Sequence, residues 1–511
     1  MKPLTTSVYT FQKLIEGGFL YVDKTALLYE LLSPAFGQYF LSRPRRFGKS
    51  LTISTLKAIF QGRKDLFEGL AIMDTDYDWR EYPVIHLDMG SCAAESVKEL
   101  EYKIELRVNY QAKLNEVSLT TKGAASRFQE LVEELSKRDR NIVILVDEYD
   151  KPLLGRIGQS NVSEFQRVLK SFYSVIKTTE SAQRFVLLTG VSKFSKVSIF
   201  SDLNNLTELT MQKSVATLLG YTQEELENNF GEYIEKLALE NGLSQDEALV
   251  ELKKWYNGYK FHELATTVYN PVSVMKCLQQ LEFKNFWFET GTPSFLIDLL
   301  KKNPVKLDDL VVPETAFSEY DPANLSPLPL LVQTGYLTIE SAVNTGWSRE
   351  FHLCYPNREI TSAFSYWLAK SFSEADDPDI SSALRMIIAA LRVGDLDSVF
   401  EHLKVFFATV PNRITLKHEK YYQTIFFAIF KLIGAALESE VSTNIGYIDA
   451  VVKTGSAIYV IEFKLRDTAE AALKQIEKGY ALRYQDDTRK VVKVGVAFSE
   501  ELRNIDNWLI D

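Results

Sequence analysis

The sequence predicts an α/β protein that begins with a doubly wound parallel sheet and ends with a second, smaller α/β domain. Three observations indicate this. An apolar strand-like run over 38–42 leads through a turn into Gly48-Lys49-Ser50, and apolar residues then recur at helical spacing. An apolar run over 141–146 ends in acidic residues, which is typical of a buried parallel strand. Near the C terminus, two strand-like runs over 445–452 and 457–464 carry acids and a lysine.

The turn after the first run has the layout of a phosphate-binding loop. Backbone N–H groups at the start of a helix face an anion, Lys49 adds a positive charge near the β- and γ-phosphates, and the Ser50 hydroxyl is a Mg²⁺ ligand. Arg43 occupies the place of the usual first glycine, so Pro44 is expected to help make the bend. The predicted ATP contacts are Arg45, Arg46, Phe47, Gly48, Lys49, Ser50 and Leu51.

The acidic strand end predicts hydrolytic groups. Open α/β sheets bind ligands at the carboxyl edge of their strands, where Asp147 and Glu148 would lie. Asp147 is predicted to hold Mg²⁺ through water, and Glu148 to polarise the attacking water. A third run over 184–190 puts Thr189 at the same edge as a γ-phosphate sensor. The alternative role for the two acids is a strand-end turn or a helix cap.

The rest of the N-terminal part alternates helices and strands. A strand is predicted over 82–88 and a helix over about 95–114, and this alternation favours a parallel sheet. Residues 11–32 are expected to wrap the nucleotide side, with Asp23 and Lys24 in an exposed turn or, alternatively, near the nucleotide.

From about residue 212 the pattern changes to amphipathic helices, interrupted by an aromatic cluster over 255–261. Aromatic residues around an Asn-Gly turn predict a packed corner, with a nucleotide-stacking surface as the alternative. Helices followed by strand-like runs over 335–339 and 351–356 indicate a winged-helix module, and the acidic stretch 373–379 a linker.

The C-terminal runs predict a second site. If the turn residues of the hairpin are Gly455 and Ser456, Asp449 lies directly opposite Glu462, and with Thr454 and Gly455 the two are diagonal neighbours. In either register the two carboxylates share a face, where their repulsion and desolvation are relieved by a divalent cation such as Mg²⁺ or Mn²⁺.

A lysine extends this predicted site. Lys464, two residues after Glu462, shares its face. The alternative is a solvated ion pair of Glu462 and Lys464 at the end of a strand.

These motifs resemble a known family. The segments 21–25, 42–51 and 146–150 look like the AAA-ATPase-like family of bacterial proteins, in which an arginine-rich loop without a first glycine is normal. Members often carry a C-terminal domain of the PD-(D/E)XK nuclease superfamily. Asp449, then Glu462-x-Lys464, is similar to that pattern, although Ile448 stands where its proline would. The resemblance implies that Glu419 supplies the acid of the upstream helix, with Glu440 as a rival for that role or as an acid that supports the ligands. It also implies that Gln475 faces the site from a helix over 470–480. The resemblance implies a P-loop NTPase fold, a helical and winged-helix middle region, and a restriction-endonuclease-like C-terminal domain.

Length and composition agree with several folded domains. The chain has 511 residues, 46% of them hydrophobic, which predicts two to four domains. Three cysteines without a CxxC pair, and no signal-like or membrane-spanning run, predict a cytoplasmic protein without a membrane partner. A net charge of −10 excludes a wholly basic surface but leaves a local nucleic-acid groove open. The expected divisions are an ATPase domain over 1–211, a helical lid over 212–285, a winged-helix module with linker over 286–395 and a nuclease-like domain over 396–511.

The sequence thus predicts an ATP-dependent, Mg²⁺-requiring DNA-processing protein with ATP and DNA as partners. Mn²⁺ is an alternative metal, and a homo-oligomer is left open. The competing hypothesis is a regulatory ATP switch whose C-terminal fold is only a binding module. The sequence leaves three alternatives open for Arg43, Arg45 and Arg46. They contact phosphate in the same chain, they contact a neighbouring subunit, or they do neither.

Overall fold

A computed structural model gives the fold in two compact units. One consists of Met1–Phe286 and Val312–Asn357, and the other of Trp287–Val311 and Arg358–Asp511. The structure describes residues 1–138, 141–157, 159–192, 205–287, 294–302, 310–317, 326–373, 377–409, 428–432, 434, 441–444, 448–453, 457–465, 467–479, 488–499, 501 and 504–511.

Helices and strands are numbered here in chain order over the described residues. The helices are α1 (Phe11–Glu16), α2 (Thr25–Leu32), α3 (Lys49–Phe60), α4 (Val97–Leu114), α5 (Ala124–Ser136), α6 (Lys151–Leu154), α7 (Val162–Thr178), α8 (Gln223–Glu240), α9 (Gln245–Tyr256), α10 (Pro271–Gln280), α11 (Ser294–Lys302), α12 (Pro327–Thr334), α13 (Arg358–Ser373), α14 (Asp377–Val393), α15 (Leu396–Ala408) and α16 (Ala469–Gly479). The strands are β1 (Gly37–Ser42), β2 (Val84–Asp88), β3 (Ile142–Asp147), β4 (Gln183–Gly190), β5 (Thr207–Glu208), β6 (Val311–Pro313), β7 (Thr338–Asn344), β8 (Arg349–Cys354), β9 (Val441–Asn444), β10 (Ile448–Lys453), β11 (Ala457–Leu465), β12 (Lys490–Ser499) and β13 (Asn504–Ile510).

The first unit is built on a parallel sheet in the order β2-β3-β4-β1-β5. The strand before the phosphate-binding loop, β1, is therefore separated from the acidic strand β3 by β4. Every residue of β3 is buried, which explains its uninterrupted apolar sequence. The predicted parallel α/β sheet is confirmed, and its carboxyl edge brings together the ends of the strands that carry the predicted ATP-site residues.

Asp23 and Lys24 fix the N-terminal segment in place instead of forming an exposed turn. One Asp23 carboxylate oxygen accepts from the backbone N–H and hydroxyl of Thr25 at the start of α2, and the other accepts from the Ala71 N–H at 2.7 Å. The Lys24 ammonium, on a mostly buried side chain, forms an ion pair with Glu225 at 2.6 Å. These contacts join distant parts of the chain, so the expectation of an exposed turn is wrong.

The helical region after the sheet is held by strong N-terminal caps. Thr222 and Glu225 form a capping box at the start of α8, and Ser244 and Glu247 form another at the start of α9. Such reciprocal side-chain and backbone bonds satisfy N–H groups that a helix start leaves open. The apolar faces of α8, α9 and α10 share one core, which also receives Leu4 from the N-terminal segment.

The aromatic segment 255–261 is a packed corner, as one of the two interpretations predicted. Tyr256 and Tyr259 are buried, and the Asn357 side-chain amide donates to the Asn257 carbonyl at 2.7 Å. Gly258 has φ +97°, and a Cβ there would lie 1.8 Å from the Pro356 carbonyl oxygen. Only glycine suits both the conformation and the space.

Gly258→Ala should therefore lower the thermal stability of the first unit. The left-handed conformation and the clash with backbone each cost roughly 1–3 kcal/mol, so a loss of about 3 kcal/mol or more is expected. The matched control is Gly231→Ala within α8, where an added Cβ meets nothing within 4 Å. Alanine there should raise stability by up to ~1 kcal/mol. Differential scanning calorimetry measures both changes, and equal melting curves for the two variants would contradict the packed corner.

After this corner, α12 leads into the antiparallel hairpin of β7 and β8, with β6 paired to β8. Helix followed by hairpin is the arrangement that the winged-helix prediction requires.

Within the part of the chain described, no helix has the length and apolarity to cross a membrane.

The second unit contains a sheet in the order β13-β12-β11-β10-β9. Strands β11 and β12 are parallel, whereas β10 is antiparallel to β11 and β13 to β12. Helix α16 packs against this sheet through Ile476, which joins a core with Val451, Ile458 and Val460. The predicted hairpin and following helix are present, while β9, β12 and β13 were not predicted from the sequence.

Candidate functional site

The phosphate-binding loop connects β1 to α3 and closes around the Lys49 side chain. Gly48, just before the helix, has φ +97°, which the helix entry requires of it. The Lys49 ammonium donates to the carbonyl oxygens of Arg43 and Pro44 at 2.9 and 2.8 Å. The side chain is buried, and burial lowers the pKa of this ammonium to about 8, against the opposing effect of nearby acids led by Asp147. The loop thus holds a poorly solvated cation at the N terminus of a helix.

The lowered pKa predicts a proton uptake on ATP binding. Without ATP, the ammonium is mostly protonated at pH 7 and mostly neutral at pH 9, because its pKa is about 8. Bound triphosphate favours the charged form of Lys49. The amine should therefore take up close to one proton from solution when ATP binds at pH 9, and almost none at pH 6.5. Affinity should fall about tenfold between pH 7 and pH 9. Calorimetry in buffers of different ionisation enthalpy measures this uptake, and its absence at pH 9 would contradict the assignment.

Arg43, which occupies the place of the usual first glycine of the loop, has a buried side chain. Its guanidinium turns into the protein and donates to the carbonyls of Ser42, Thr210 and Val215 at 3.0, 2.5 and 3.3 Å. It also lies 4.0 Å from the ring centre of Phe261, and burial lowers its pKa to about 9. Only 1% of Arg43 is exposed, so neither a phosphate nor a second subunit contacts it in this conformation.

The other two loop arginines differ from each other. Arg46 has φ +70° and donates to the Phe286 carbonyl at 2.8 Å, so part of its donor set is engaged by the protein. Arg45 is half-buried and close enough to Lys49 to lower its pKa, and among the described residues it has no hydrogen-bond or ion-pair partner. Arg45 is therefore the loop arginine best placed to receive an anion.

The remaining loop residues have different environments. The Phe47 ring is buried edge-on against Tyr259 and Phe261, with ring centres 4.8 and 5.5 Å apart, so the side chain anchors the loop. Only the backbone of Phe47 can therefore contact a phosphate. Ser50 and Leu51 lie in the first turn of α3 and are half-buried.

The acidic strand end lies at the same edge of the sheet. Asp147 accepts a hydrogen bond from the Thr189 hydroxyl at 2.7 Å and from the Glu148 N–H at 3.0 Å. The structure thus brings the predicted Mg²⁺ acid and the predicted phosphate sensor into contact. Both side chains are buried, and the threonine hydroxyl fixes the direction of the carboxylate.

Glu148 is held in an uncommon backbone conformation, with φ +51°. Its carboxylate extends towards Gly90, where an added Cβ would lie 2.7 Å from Glu148 Oε2 and 2.9 Å from Asp88 Oδ1. Asp88 ends β2 in register with Asp147, so three acids line this edge. Sequence reasoning missed Asp88 and Gly90, although the strand that ends at Asp88 was predicted.

Asp150 is a further buried acid that was not assigned a role from the sequence. Its Oδ2 accepts from the Val191 N–H at 3.1 Å, the Ser192 N–H at 2.8 Å and the Ser192 hydroxyl at 2.8 Å. Burial raises the pKa of this carboxyl, opposed by the Ser192 bonds and by Lys49. Asp150 therefore ties the chain after β4 to the acidic segment after β3. Its position at the end of an apolar run was the available signal.

The second site lies on the sheet of the second unit. Asp449 on β10 pairs directly with Glu462 on β11, so the first of the two predicted registers is the observed one. Glu462 is 1% exposed, and its Oε1 accepts from the Lys464 ammonium at 2.8 Å. The same ammonium donates to Gln475 Oε1 from α16. The structure therefore brings Glu462, Lys464 and Gln475 together.

Glu462 Oε2 is buried without a hydrogen-bond partner among the described residues. Burial raises the pKa of this carboxyl, and Lys464 opposes the rise. An orphaned buried carboxylate oxygen opposite a second acid is the donor set that a hard divalent cation fits. Glu419 and Glu440 lie outside the described residues, and Asp449 is placed here by its backbone register. Within the described part of the chain, no three His, Cys, Asp or Glu side chains cluster as a metal site.

Comparisons with known proteins identify two domains in this chain. Residues 5–200 match the family model described as "Predicted AAA-ATPase", and residues 417–508 match the model of the PD-(D/E)XK nuclease superfamily. An uncharacterised protein from the vnfD 5′ region of Azotobacter chroococcum mcd 1 is 34% identical over 530 residues, which cover 100% of this chain and 99% of that protein.

Two solved structures are similar at a low level. The Walker-type ATPase PABY2304 of Pyrococcus abyssi is 13% identical, with a TM-score of 0.31 over 70% of this chain and 96% of that one. The Orc1 protein of Aeropyrum pernix, solved in complex with DNA, is 10% identical, with a TM-score of 0.27 over 67% and 91%. The assignment rests on the family models and the full-length relative. The chain belongs to the family of predicted AAA-ATPases and carries a C-terminal domain of the PD-(D/E)XK nuclease superfamily.

Proposed function

We propose that this protein binds and hydrolyses ATP and uses the nucleotide to regulate a metal-dependent DNA nuclease. An ATPase-like domain and a nuclease-superfamily domain are present in one chain. The proposal joins them into one activity, ATP-regulated DNA processing. The observation that carries the nuclease half is the Glu462 carboxylate, which is buried with one oxygen on Lys464 and the other without a partner among the described residues.

In the ATPase half, the residues of the sheet edge have separate roles. Lys49 and Arg45 neutralise phosphate charge, and the N-terminal N–H groups of α3 bind phosphate oxygens. Ser50 and Asp147 would hold Mg²⁺, which neutralises charge on the β- and γ-phosphates. Glu148 orients the attacking water, and Thr189 fixes the Asp147 carboxylate through their 2.7 Å hydrogen bond. The low exposure of Asp147 and Lys49 limits competing water.

In the nuclease half, Asp449 and Glu462 would hold Mg²⁺ or Mn²⁺, which polarises the scissile phosphate and acidifies water. Lys464 is fixed by two acceptors, Glu462 Oε1 and Gln475 Oε1. A cation held in this way can orient a water and stabilise charge that develops on the phosphate. We include Glu419 as a further acid of the proposed site, with Glu440 as the alternative.

Supercoiled plasmid tests the combined proposal. Wild-type protein is incubated with DNA and Mg²⁺ or Mn²⁺, with and without ATP, beside Lys49→Ala and Glu462→Gln. We expect nicking or cutting by the wild type, none by Glu462→Gln, and loss of the ATP effect alone in Lys49→Ala. Failure of the wild type to cut any DNA form with either metal and ATP would favour the regulatory switch with an inactive nuclease-like domain.

A metal-binding prediction can be checked without DNA. Mg²⁺ or Mn²⁺ without ATP should stabilise the folded wild type and so raise its unfolding temperature. At a metal concentration a hundred times the dissociation constant, the stabilisation is about 2.7 kcal/mol. The effect should grow from pH 5 to pH 8, because protons compete for a Glu462 carboxyl whose pKa is raised. Asp449→Asn should lose the response.

The control for that measurement is Glu470→Gln, which removes an exposed acid from the start of the neighbouring helix α16. Its response to metal should equal that of the wild type. If Asp449→Asn responds to metal as the wild type does, the metal site is assigned to the wrong residues.

A further inference from the structure

Helix α4 carries a continuous apolar stripe on its exposed side. Tyr102, Leu106, Tyr110 and Leu114 are 61%, 46%, 55% and 53% exposed. Each is four residues from the next, so together they form one ridge along the helix surface, called here the α4 ridge. The side of the helix that faces the core uses other residues, which are fully buried: Leu100, Ile104 and Val108.

An exposed ridge of this kind differs from ordinary surface apolarity. Single exposed apolar residues such as Leu239 on α8 and Val250 on α9 are common in folded proteins and need no partner. Four half-exposed side chains in line expose roughly 400 Å² per copy, taking about 200 Å² for one large side chain. That is the size of a patch which in monomers is often functional.

We propose that the α4 ridge is a self-association surface, which pairs with the same ridge of a second copy of this chain around a two-fold axis. The order of the side chains favours an antiparallel pairing. Tyrosine and leucine alternate along the ridge, so reversing one copy places Tyr102 beside Leu114 of the second copy and Leu106 beside Tyr110 of the second copy. Large and smaller side chains then interdigitate, whereas a parallel pairing sets tyrosine against tyrosine. Ridges of residues four apart pack in this way at a crossing angle of about 50°.

The charges beside the ridge fit the same orientation. Glu101 and Lys113 precede the first and last ridge residues, so they lie on the same side of the inclined ridge, and both are exposed. Neither side chain has a hydrogen bond or ion pair with any described residue. In the antiparallel pairing, Glu101 of each copy faces Lys113 of the other, which gives two opposite-charge pairs. In a parallel two-fold pairing, these residues of the two copies lie on opposite sides of the contact, so neither opposite-charge pair forms.

The area sets the strength of the association. Two ridges together bury roughly 800 Å², and the flanking charges extend the contact, but stable complexes bury about 1,200–2,000 Å². The dimer is therefore weak and reversible, and its population depends on protein concentration. The C2 arrangement is closed, so association stops at two copies.

Sedimentation velocity over a wide concentration range tests the proposal, with the full chain and no nucleotide. The wild type should pass reversibly from monomer to dimer. Leu106→Glu should raise the dimer dissociation constant by about tenfold or more, because it places a carboxylate in the centre of the contact. Leu239→Glu, the same change at an exposed position off the ridge, should dimerise as the wild type does. Circular dichroism melting checks that both variants are folded.

A charge exchange tests the orientation. Glu101→Lys and Lys113→Glu should each weaken the dimer, and the double variant should restore it, because the two pairs are then re-formed with reversed signs. A wild type that is monomeric at every concentration, or a Leu106→Glu variant that dimerises normally, would overturn the proposal. A double variant no stronger than either single change would overturn the antiparallel arrangement.

Discussion

Lys49→Ala should reduce ATP hydrolysis to background, a loss of about a thousandfold or more. The ammonium is buried in a loop whose carbonyls hold it 2.8 and 2.9 Å away, so it is already positioned before nucleotide arrives. Alanine leaves a small, poorly hydrated space, and water does not replace a charge in such a place. Binding of an ATP analogue should weaken as well, which isothermal calorimetry measures.

Two variants make this result specific. Lys57→Ala removes a lysine two turns further along the same helix and should hydrolyse ATP at the wild-type rate. Glu148→Gln should retain ATP binding and slow turnover, because it removes the group that orients water and leaves the loop intact. Equal analogue affinity in wild type and Lys49→Ala would remove the loop from the proposed mechanism.

Lys464→Ala should lower the rate of DNA strand scission by about a hundredfold or more. This is the scale of losing one oriented electrostatic group. Metal-induced stabilisation should remain nearly intact, because the proposed metal ligands are the carboxylates. Scission is measured on plasmid with Mg²⁺ or Mn²⁺, and DNA binding is measured separately in Ca²⁺, so that lost affinity is distinguished from lost chemistry.

Lys474→Ala is the matched control for this change. Lys474 precedes Gln475 on α16 and is exposed, so its removal takes away the same charge without touching Glu462. It should cut DNA at the wild-type rate. If Lys464→Ala also does so, Lys464 and Glu462 form only an ion pair at a strand.

The sequence predicted the parts of the fold that depend on local pattern. Apolar runs located β1, β3 and β4, and the polar residues at their ends follow from the rule that parallel strands end at one edge. The hairpin of β10 and β11 was predicted in two registers, and its partners are close in sequence, so few alternatives existed. The structure selects the register that sets Asp449 directly opposite Glu462.

Contacts between residues far apart in the chain could not be predicted from the sequence. The position of the Arg43 side chain depends on residues far along the chain, such as Thr210 and Phe261. No local sequence pattern connects these residues with Arg43. The insertion of β4 between β1 and β3, and the pairing of β12 with β11, are choices among many strands. For the same reason, Asp150 looked like one more acid after a strand, although its three hydrogen bonds lie 41 and 42 positions away.

The inward turn of Arg43 also bears on how the protein is made. Its guanidinium donates to the carbonyls of Thr210 and Val215 and lies over the Phe261 ring, and these residues are translated well after the loop itself. While the chain emerges from the ribosome, the loop therefore lacks the carbonyl acceptors and the aromatic ring that hold the Arg43 side chain. A fragment that ends at residue 200, the limit of the matched ATPase family model, leaves this arginine without those partners. We therefore expect the loop to acquire its final arrangement late in synthesis, once residues 210–261 have folded against it.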